Sequence, residues 1–333
     1  MTQGILLVGG KGTRLMPLTR TVPKPMLPLA GLPVTEHQLA MARRAGITSI
    51  VLATSYLAEI FVPYFGDGSA WGMQIQYAVE NEPLGTGGAI RNAAQLLNPT
   101  ESIVILNGDV LSSHNLAAQI ALHEAKDADV TLHLTHVADA RAFGCVPIDS
   151  EGKVKAFLEK MENPVANTIN AGCYVFHPRV ISQIKSDAVV SVEREVFPNL
   201  LANSRKIFGV IDDSYWLDIG TPSALLQGSK DLVQSIARGA TQIGADHHGS
   251  DYLALAGAQI DSSAVISHGS AIGRDVRIEA GARINGSIIS DFAVISRGAR
   301  LERCFVAAGT TVEPTVDICD SYLANDGVFS PLS

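Results

Sequence analysis

A six-residue repeat of aliphatic side chains is the feature that most restricts how the last part of this chain can fold. The repeat is regular except for two one-residue slips, after Ile284 and after Leu301. Neither the period of an α-helix nor the alternation of an ordinary strand produces this spacing. It is typical of a solenoid in which each hexapeptide forms one short side of a triangular parallel β-coil. The aliphatic positions are Ile260, Ile266, Ile272, Ile278, Ile284, Ile289, Ile295, Leu301, Val306, Val312 and Ile318.

A β-sandwich whose aliphatic residues fall into this rhythm by accident is the alternative. Eleven positions with only two slips argue against accident, and we predict a parallel β-helix over residues 255–333. The residues before it, 239–254, are interpreted as a connector. His247 and His248 suggest a metal pair, but a solvated pair in a linker is the simpler interpretation.

The earlier part of the chain follows a different pattern, in which short apolar runs alternate with segments of helical period. This alternation predicts a Rossmann-like α/β domain over residues 1–238, with a mixed, mainly parallel sheet covered by helices. In such sheets ligands bind beyond the carboxyl ends of the strands. The strand-like runs are Ile5–Val8, Ile50–Ala53, Ile75–Val79, Ile103–Leu106, Val130–Leu134 and Tyr174–Phe176, and the helix-like segments include Thr35–Ala45, Gly88–Leu97 and Asn115–Lys126.

Composition limits the classes of partner and compartment. The 333 residues carry a formal net charge of -8, which argues against a general nucleic-acid binder. The four cysteines are far apart and form no CxxC pair, which fits reduced cytosolic thiols better than disulfides or a zinc site. We find no signal-peptide pattern and no apolar run near the ~18 residues of a membrane span. We therefore expect a cytoplasmic protein without membrane or nucleic-acid partners.

A basic loop follows the first predicted strand. Lys11, Arg14, Arg20 and Lys24 stand among glycines and the prolines of residues 17–28. The loop is not a P-loop, because Lys11 is followed by glycine and the prolines forbid a helix directly after it. A dinucleotide fingerprint would need a third glycine and a helix start, and both are missing. Glycines let the backbone approach an anion closely, so we predict a polyphosphate site rather than a solvated loop.

The loop is one of seven motifs that resemble, in family order, those of the sugar-1-phosphate nucleotidyltransferases. The resemblance extends along nearly the whole chain, and many family members also carry a hexapeptide tail. It implies transfer of a nucleotidyl group from an NTP to a sugar 1-phosphate, release of pyrophosphate, and a left-handed parallel β-helix for the tail. The motifs are GGKGTRL with Pro17, Thr19 and PKP (residues 9–25), EPLGTGGA (82–89), NGD (107–109), FGCV (143–146), FLEK (157–160), NAGCYVF (170–176) and WLDIGTP (216–222).

The resemblance assigns the nucleotide to the basic loop and its neighbours. Arg14 and the glycine amides would hold the leaving β- and γ-phosphates, and Lys24 would reach the phosphates around the reacting centre. The sugar phosphate oxygen attacks the α-phosphorus in line, so catalysis rests on positioning and charge neutralisation without a protein nucleophile. Nucleotide contacts are expected at Leu7, Gly9, Gly10, Gly12, Thr13, Glu80, Gly85 and Thr86.

Mg²⁺ is the cofactor that the resemblance implies, because this hard cation takes carboxylate, phosphate and water oxygens. Asp109 follows an apolar run and Asp218 stands in WLDIGTP, and both match the family's metal ligands. A turn aspartate in Asn-Gly-Asp is the alternative interpretation of Asp109.

The sugar phosphate is expected at a second group of residues. Lys160 matches the family lysine that binds the phosphate, and Glu159 matches the acid that binds sugar hydroxyls. Many relatives continue Glu-Lys-Pro, whereas Met161 and Glu162 follow here, so we expect a different course for that loop. Simple strand packing and an exposed helical glutamate are the alternatives for Gly172 and Glu193. The remaining candidates in this group are Gly144, Asn170, Gly172 and Glu193.

Glu80 is the candidate reader of the base. A glutamine usually stands here in the thymidylyl- and uridylyltransferases, whereas a carboxylate only accepts and suits the adjacent N1–H and N2–H₂ donors of guanine. The segments VENEPLGTGG (79–88) and SVEREVFP (191–198) resemble those of mannose-1-phosphate guanylyltransferases. We therefore favour GTP and mannose 1-phosphate. A glucose-1-phosphate uridylyl-, thymidylyl- or adenylyltransferase is the alternative.

Two further alternatives concern the whole chain. A non-catalytic regulatory homologue is disfavoured, because Arg14, Lys24, Asp109, Lys160 and Asp218 are all present. An acyltransferase tail is disfavoured, because the repeat region is short and contains a single histidine. We expect the tail to pack on the catalytic domain or on another subunit of a homo-oligomer.

Overall fold

A computed structural model describes residues 2–158, 162–240 and 245–330. Contacts divide the chain into two compact units. The first comprises Met1–Gly10 and Gln38–Trp216, and the second comprises Lys11–His37 and Leu217–Ser333. The basic loop thus belongs to the same unit as the repeat region. The predicted boundary at residue 238 follows the sequence patterns, whereas this division follows contacts.

The elements up to residue 233 alternate between strands and helices. In chain order the strands are β1 (Gln3–Leu7), β2 (Pro28–Leu29), β3 (Leu32–Pro33), β4 (Ser49–Thr54), β5 (Gln74–Val79), β6 (Ile103–Asn107), β7 (Val110–Ser112), β8 (Val130–His136), β9 (Thr168–Phe176), β10 (Ile207–Ile211) and β11 (Trp216–Asp218). The α-helices are α1 (Val34–Arg44), α2 (Phe61–Phe65), α3 (Gly85–Ala93), α4 (Leu116–Ala125), α5 (Pro178–Ile181), α6 (Phe197–Ala202) and α7 (Pro222–Val233).

The main sheet lies in the first unit and has the strand order β10-β8-β9-β6-β1-β4-β5. Strand β9 is antiparallel to both of its neighbours, and the other neighbouring pairs are parallel. The predicted mixed, mainly parallel sheet is therefore confirmed. Leu7 at the end of β1 is in register with Asn107 at the end of β6, so the glycine motif and NGD start from one edge of the sheet.

The repeat region is a left-handed parallel β-helix, as predicted. Eight of the eleven aliphatic positions are buried in one core, and Ile260, Ile266 and Ile318 pack against it partly buried. The strands are β12 (Ala245–His248), β13 (Tyr252–Leu255), β14 (Gln259–Ile260), β15 (Val265–Ser267), β16 (Ser270–Ile272), β17 (Arg277–Ile278), β18 (Arg283–Asn285), β19 (Ile288–Ile289), β20 (Val294–Ile295), β21 (Arg300–Glu302), β22 (Phe305–Val306), β23 (Thr311–Val312), β24 (Asp317–Cys319), β25 (Tyr322–Ala324) and β26 (Gly327–Phe329).

The strands of the β-helix form three ladders, and the largest has the order β12-β13-β16-β19-β22-β25-β26. We call it the central ladder. Its two end pairs are antiparallel, and all its other pairs are parallel. Strand β12 begins at Ala245, within the stretch predicted as connector. The sequence pattern did not reveal this strand, because the end hairpin lacks the six-residue period. His247 in β12 stacks on Tyr252, with ring centroids 4.1 Å apart.

The outward side of the central ladder is apolar as well as the inward side. Ile288, Ala271 and Phe305 face away from the solenoid core, yet each is at most 4% exposed. Helix α7 packs against β16, and a side chain on Gly31 would lie 2.6 Å from Leu255 Cδ1. These neighbours belong to the second unit, which explains why the basic loop and α7 join the solenoid in one compact body.

No α-helix among the described residues is long and apolar enough to cross a membrane.

Candidate active site

The glycine motif begins where the backbone leaves β1 at the carboxyl edge of the main sheet. The Val8 N–H donates to the Ala53 carbonyl (3.0 Å), and the Gly10 N–H donates to Ser55 Oγ (3.3 Å). A side chain on Gly9 would lie 2.7 Å from Ser55 Oγ, so a larger residue would displace the hydroxyl that accepts from Gly10. Gly9 and Gly10 are exposed, which leaves their backbone open to an approaching anion.

The NGD turn follows β6 at the same edge. The Gly108 N–H donates to the Leu7 carbonyl (2.9 Å), and a side chain on Gly108 would lie 2.3 Å from that oxygen. The Gln38 side-chain amide donates to the Asn107 carbonyl (2.5 Å) and to the Val110 carbonyl (2.9 Å). Asp109 is half-buried on a turn that is held from both sides.

A cavity of about 290 Å³ lies in the first unit, near the lower limit for ligand pockets. Three predicted sugar contacts, Gly144, Asn170 and Glu193, line it together with Phe157. The Phe157 ring stacks on Phe197 with centroids 4.6 Å apart, which holds the aromatic wall in place.

The Glu193 carboxylate is fixed in this cavity by three hydroxyl groups. Thr86 and Ser191 donate to Oε2 at 2.9 and 3.1 Å, and Tyr174 donates to Oε1 at 3.4 Å. Burial raises the pKa of Tyr174, and the nearby Glu193 charge raises it further. Glu193 lies in a single π-helical turn, Val192–Val196, and is half-buried. The alternative of an exposed helical glutamate does not fit this position.

Asn170 and Gly172 connect the cavity to the NGD turn. Asn170 donates from Nδ2 to the Tyr174 hydroxyl (2.9 Å) and accepts from the Gly172 N–H (3.1 Å). Gly172 has a φ of +77°, and a side chain there would lie 3.0 Å from Asn107 Nδ2. Strand packing alone does not explain this glycine, because its left-handed conformation is also required.

The motifs EPLGTGGA and SVEREVFP pack on each other, a contact that the sequence analysis missed. The Gly87 N–H donates to the Val190 carbonyl (2.8 Å), and a side chain on Gly85 would lie 2.6 Å from that oxygen. The Thr86 hydroxyl accepts from the Val192 N–H (2.9 Å) in addition to its bond with Glu193. Several glycines at a helix start are a signal of close backbone approach, although they do not reveal the partner segment.

Glu80 follows β5 and is half-buried. Its Oε2 accepts from the Leu84 N–H at 3.1 Å. Burial raises the pKa of the Glu80 carboxyl, and the bond from Leu84 opposes that rise. The carboxylate therefore closes the turn that leads into α3, and its role toward a base stays a prediction.

The basic loop of the second unit forms three single turns of 3-10 helix, Thr13–Leu15, Leu18–Arg20 and Lys24–Met26. The prolines thus prevent an α-helix here, as predicted. Thr19 Oγ1 donates to the Gly12 carbonyl (3.0 Å), and a side chain on Gly12 would lie 3.0 Å from Lys24 Cβ. Gly12, Thr19 and Lys24 are therefore packed together within the loop.

Arg14 and Asp218 converge on Gly220, also in the second unit. A side chain on Gly220 would lie 2.8 Å from Arg14 Nη2 and 2.9 Å from Asp218 Oδ1. Two residues later α7 begins with Pro222, and Thr221 Oγ1 caps it by accepting from the Ala224 N–H (3.2 Å). WLDIGTP therefore combines a helix start with a glycine against which the Arg14 and Asp218 side chains pack.

The remaining predictions have different outcomes. Glu159 and Lys160 lie outside the residues that the structure describes, so their roles stay predictions. Over residues 2–158, 162–240 and 245–330, no group of three or more His, Cys, Asp or Glu is arranged to hold a metal ion.

Comparison with known proteins gives one family. The family described as Nucleotidyl transferase matches residues 3–235. A mannose-1-phosphate guanylyltransferase of Mycobacterium tuberculosis is 49% identical over 300 residues, which cover 90% of this chain and 82% of that protein. A mannose-1-phosphate guanyltransferase of Schizosaccharomyces pombe is 33% identical over 279 residues, which cover 83% of this chain and 74% of that protein.

Solved structures show the same fold. HddC from Yersinia pseudotuberculosis, complexed with GMP-PN, has a TM-score of 0.60 and 26% identity, and the match covers 70% of this chain and 100% of that one. A Bacillus anthracis protein in complex with a sucrose has a TM-score of 0.64 and 22% identity, over 72% of this chain and 97% of that one.

Proposed function

Because the chain belongs to the Nucleotidyl transferase family, we propose that it transfers a guanylyl group from GTP to mannose 1-phosphate, forming GDP-mannose and pyrophosphate. The observation that carries the choice of substrates is the guanylyltransferase relative that shares 49% of the aligned residues. The site geometry supports the chemistry, since a triphosphate requires a basic glycine loop, and a sugar fits a small cavity in which a few polar groups, such as Asn170 and Glu193, stand among apolar walls.

The basic loop is assigned to the triphosphate. The exposed glycine motif and the Arg14 guanidinium would bind the oxygens of the leaving pyrophosphate, with the Gly10 N–H exchanging its bond to Ser55 Oγ for one to the phosphate. Lys24 would face the reacting phosphate. The contact of Lys24 with Gly12 supports this, because it places the lysine beside the glycine motif. A phosphate dianion is already a nucleophile, so these groups act by orientation and by neutralising charge.

Asp109 and Asp218 are assigned to Mg²⁺. Asp109 follows Gly108, whose backbone lies against the Leu7 carbonyl, and Asp218 Oδ1 lies beside Gly220 together with the Arg14 guanidinium. Carboxylates in these positions fit a cation that completes its shell with phosphate and water oxygens. Bound Mg²⁺ would supply charge neutralisation on the phosphates. Asp218→Asn is expected to lower turnover by orders of magnitude while leaving the unfolding temperature nearly unchanged. The exposed Asp213→Asn is the control, and near-normal turnover of Asp218→Asn in Mg²⁺ would contradict the assignment.

The cavity around Glu193 is assigned to the sugar. A carboxylate that already accepts from three hydroxyls is oriented before the ligand arrives, and it would accept further bonds from sugar hydroxyls. Asn170 adds a polar group, and Phe157 adds an apolar wall. Glu159 and Lys160 remain the predicted contacts to the hydroxyls and the phosphate.

The test is a substrate matrix with the purified full chain. GTP, UTP, dTTP and ATP are each combined with mannose 1-phosphate and with glucose 1-phosphate, and pyrophosphate and the nucleotide sugar are measured. We expect the highest kcat/KM for GTP with mannose 1-phosphate. Preference for another pair would favour the uridylyl-, thymidylyl- or adenylyltransferase alternative. If no pair yields pyrophosphate and a nucleotide sugar, a regulatory homologue is favoured.

A further inference from the structure

Arg20 extends from the basic loop to the last hairpin of the central ladder. Its Nη1 lies 3.4 Å from Asp326 Oδ2, and its guanidinium carbon lies 5.3 Å from the centroid of the Phe329 ring. An ion pair and a cation–π contact thus meet on one side chain. Both partners belong to β25–β26 and the turn between them, far along the chain from the loop.

The hairpin offers a firm surface for this contact. Tyr322 and Phe329 are cross-strand partners, and their rings stack with centroids 5.8 Å apart. Tyr322 also packs on Phe305 of the preceding coil at 5.8 Å, and Phe305 is only 4% exposed. The ring that receives Arg20 is therefore continuous with the packed face of the solenoid.

Within the basic loop, Arg20 is attached to buried residues. Arg20 ends the turn Leu18–Arg20, and its neighbours Leu18 and Thr19 are buried. Thr19 donates to the Gly12 carbonyl, and its Cγ2 would lie 3.1 Å from a side chain on Gly12. Thr19 therefore links Arg20 directly to Gly12, in the middle of the glycine motif.

We propose that Arg20 is a positioning residue, through which the terminal hairpin of the β-helix holds the basic loop in its triphosphate-binding conformation. This inference rests on the proposed function of the loop. Arg20 itself touches no substrate in this proposal. The Arg20 and Asp326 side chains are 52% and 66% exposed, so their contact adds little to global stability. We expect the contact to affect how well the conformation of the basic loop is ordered.

The decisive variant is Phe329→Ala, because this residue lies in the solenoid and not in the loop. We expect KM for GTP to rise about three- to tenfold, the change that a cation–π contact of ordinary strength implies, with kcat and KM for mannose 1-phosphate nearly unchanged. Val328→Ala is the matched control, since Val328 is 55% exposed on the same strand. Asp326→Asn, which leaves the ring in place, is expected to give a smaller rise.

A double-mutant cycle identifies the route of the effect. Arg20→Ala is expected to match Phe329→Ala, and the double variant is expected to be no worse than either. Arg20→Lys should recover part of the loss, because an ammonium retains charge and cation–π attraction. Additive effects, or a Phe329→Ala enzyme with unchanged KM for GTP, would overturn the proposal.

Trypsin cleavage provides a measurement that does not depend on catalysis. The bond after Arg14 should be cut faster in Phe329→Ala than in wild type or Val328→Ala, since a less ordered loop exposes it more often. If wild type shows no transfer from GTP, the proposed function fails while this difference still supports the positioning role. Equal cleavage rates would overturn the positioning role whatever the activity.

Discussion

Single glycines determine how closely the backbone segments approach each other around the candidate site. At Gly108, Gly85 and Gly220, a β-carbon added to the glycine would lie less than 3 Å from the nearest atom of another residue. At Gly108 and Gly85 that atom is a backbone carbonyl, which has no rotamer by which to move aside. We therefore expect even a single added methyl group at Gly108 or Gly85 to be costly.

Gly108→Ala tests this sensitivity. The new methyl group would lie 2.3 Å from the Leu7 carbonyl oxygen, so β1 and the NGD turn have to separate. We expect a loss of about 1–3 kcal/mol in the free energy of unfolding, together with a fall in kcat through displaced Asp109. Urea unfolding measures the first effect. Gly46→Ala is the control, since nothing lies within 4 Å there and only its φ of +86° is strained. Unaltered stability and kcat in Gly108→Ala would refute this expectation.

Glu80→Gln tests base selection. Two charge-assisted bonds to guanine contribute about 1.5–3 kcal/mol each before competing costs, whereas a carboxylate opposes the carbonyl oxygen of uracil or thymine. We expect the ratio of kcat/KM for GTP to that for UTP to fall in the variant, with a smaller effect on kcat. Glu82→Gln, at an exposed neighbour, should leave the ratio unchanged. An unchanged ratio in Glu80→Gln means that another group reads the base.

Two buried histidines join α4 and β8 to their surroundings in the first unit. The rings of His114 and His133 stack with centroids 3.9 Å apart. His114 is bonded to Ser112 and Gln119, and His133 to the Asp212 carbonyl. Burial, and then the neighbouring His133, lowers the pKa of His114 to about 3, and burial also lowers the pKa of His133. The pair is therefore neutral in the folded protein near pH 7.

Mild acid is expected to destabilise the fold through this pair. Because the folded-state pKa of His114 is below the unfolded value of about 6.5, the unfolded chain binds more protons as the pH falls from 6.5 toward 3. We expect a loss of about 2 kcal/mol in the free energy of unfolding between pH 7 and pH 5 from His114 alone. Urea unfolding at the two pH values measures it, and His114→Gln should reduce the difference. Equal stability of wild type at both pH values would contradict the effect.

Elements with a local period were predictable, and contacts between distant segments were not. Each aliphatic position of the β-helix has its role repeated one hexapeptide later, so the sequence alone specified the solenoid. The end hairpin β12–β13 breaks that period and was interpreted as a connector. The contact of Gly87 with Val190 joins segments a hundred positions apart, and no spacing in the sequence encodes it. Adjacent apolar pairs such as Ile288-Ile289 are a signal, not used in the sequence analysis, that could have shown that both faces of the central ladder are covered.

The basic loop and the β-helix belong to one compact unit, so removal of the β-helix is expected to affect the loop as well as the tail. A chain ending at Asp251 loses Leu255, which packs against Gly31, and the hairpin that meets Arg20. We expect a lower unfolding temperature, a changed oligomeric mass and a higher KM for GTP. A chain ending at Ser330 keeps every described strand and is the control. Loss of an acetyl-CoA-dependent activity on truncation would instead indicate a second active site in the tail.

The reversed strands at both ends of the central ladder have a consequence for assembly. A solenoid with parallel strands throughout would present complementary edges at its top and bottom, and copies stacked head to tail would grow into fibres without limit. Here β12 and β26 run against their neighbours, so this ladder does not continue from one copy into the next in the same sense. Head-to-tail stacking of parallel strands is therefore disfavoured along the central ladder, at the end formed by β12 and at the end formed by β26.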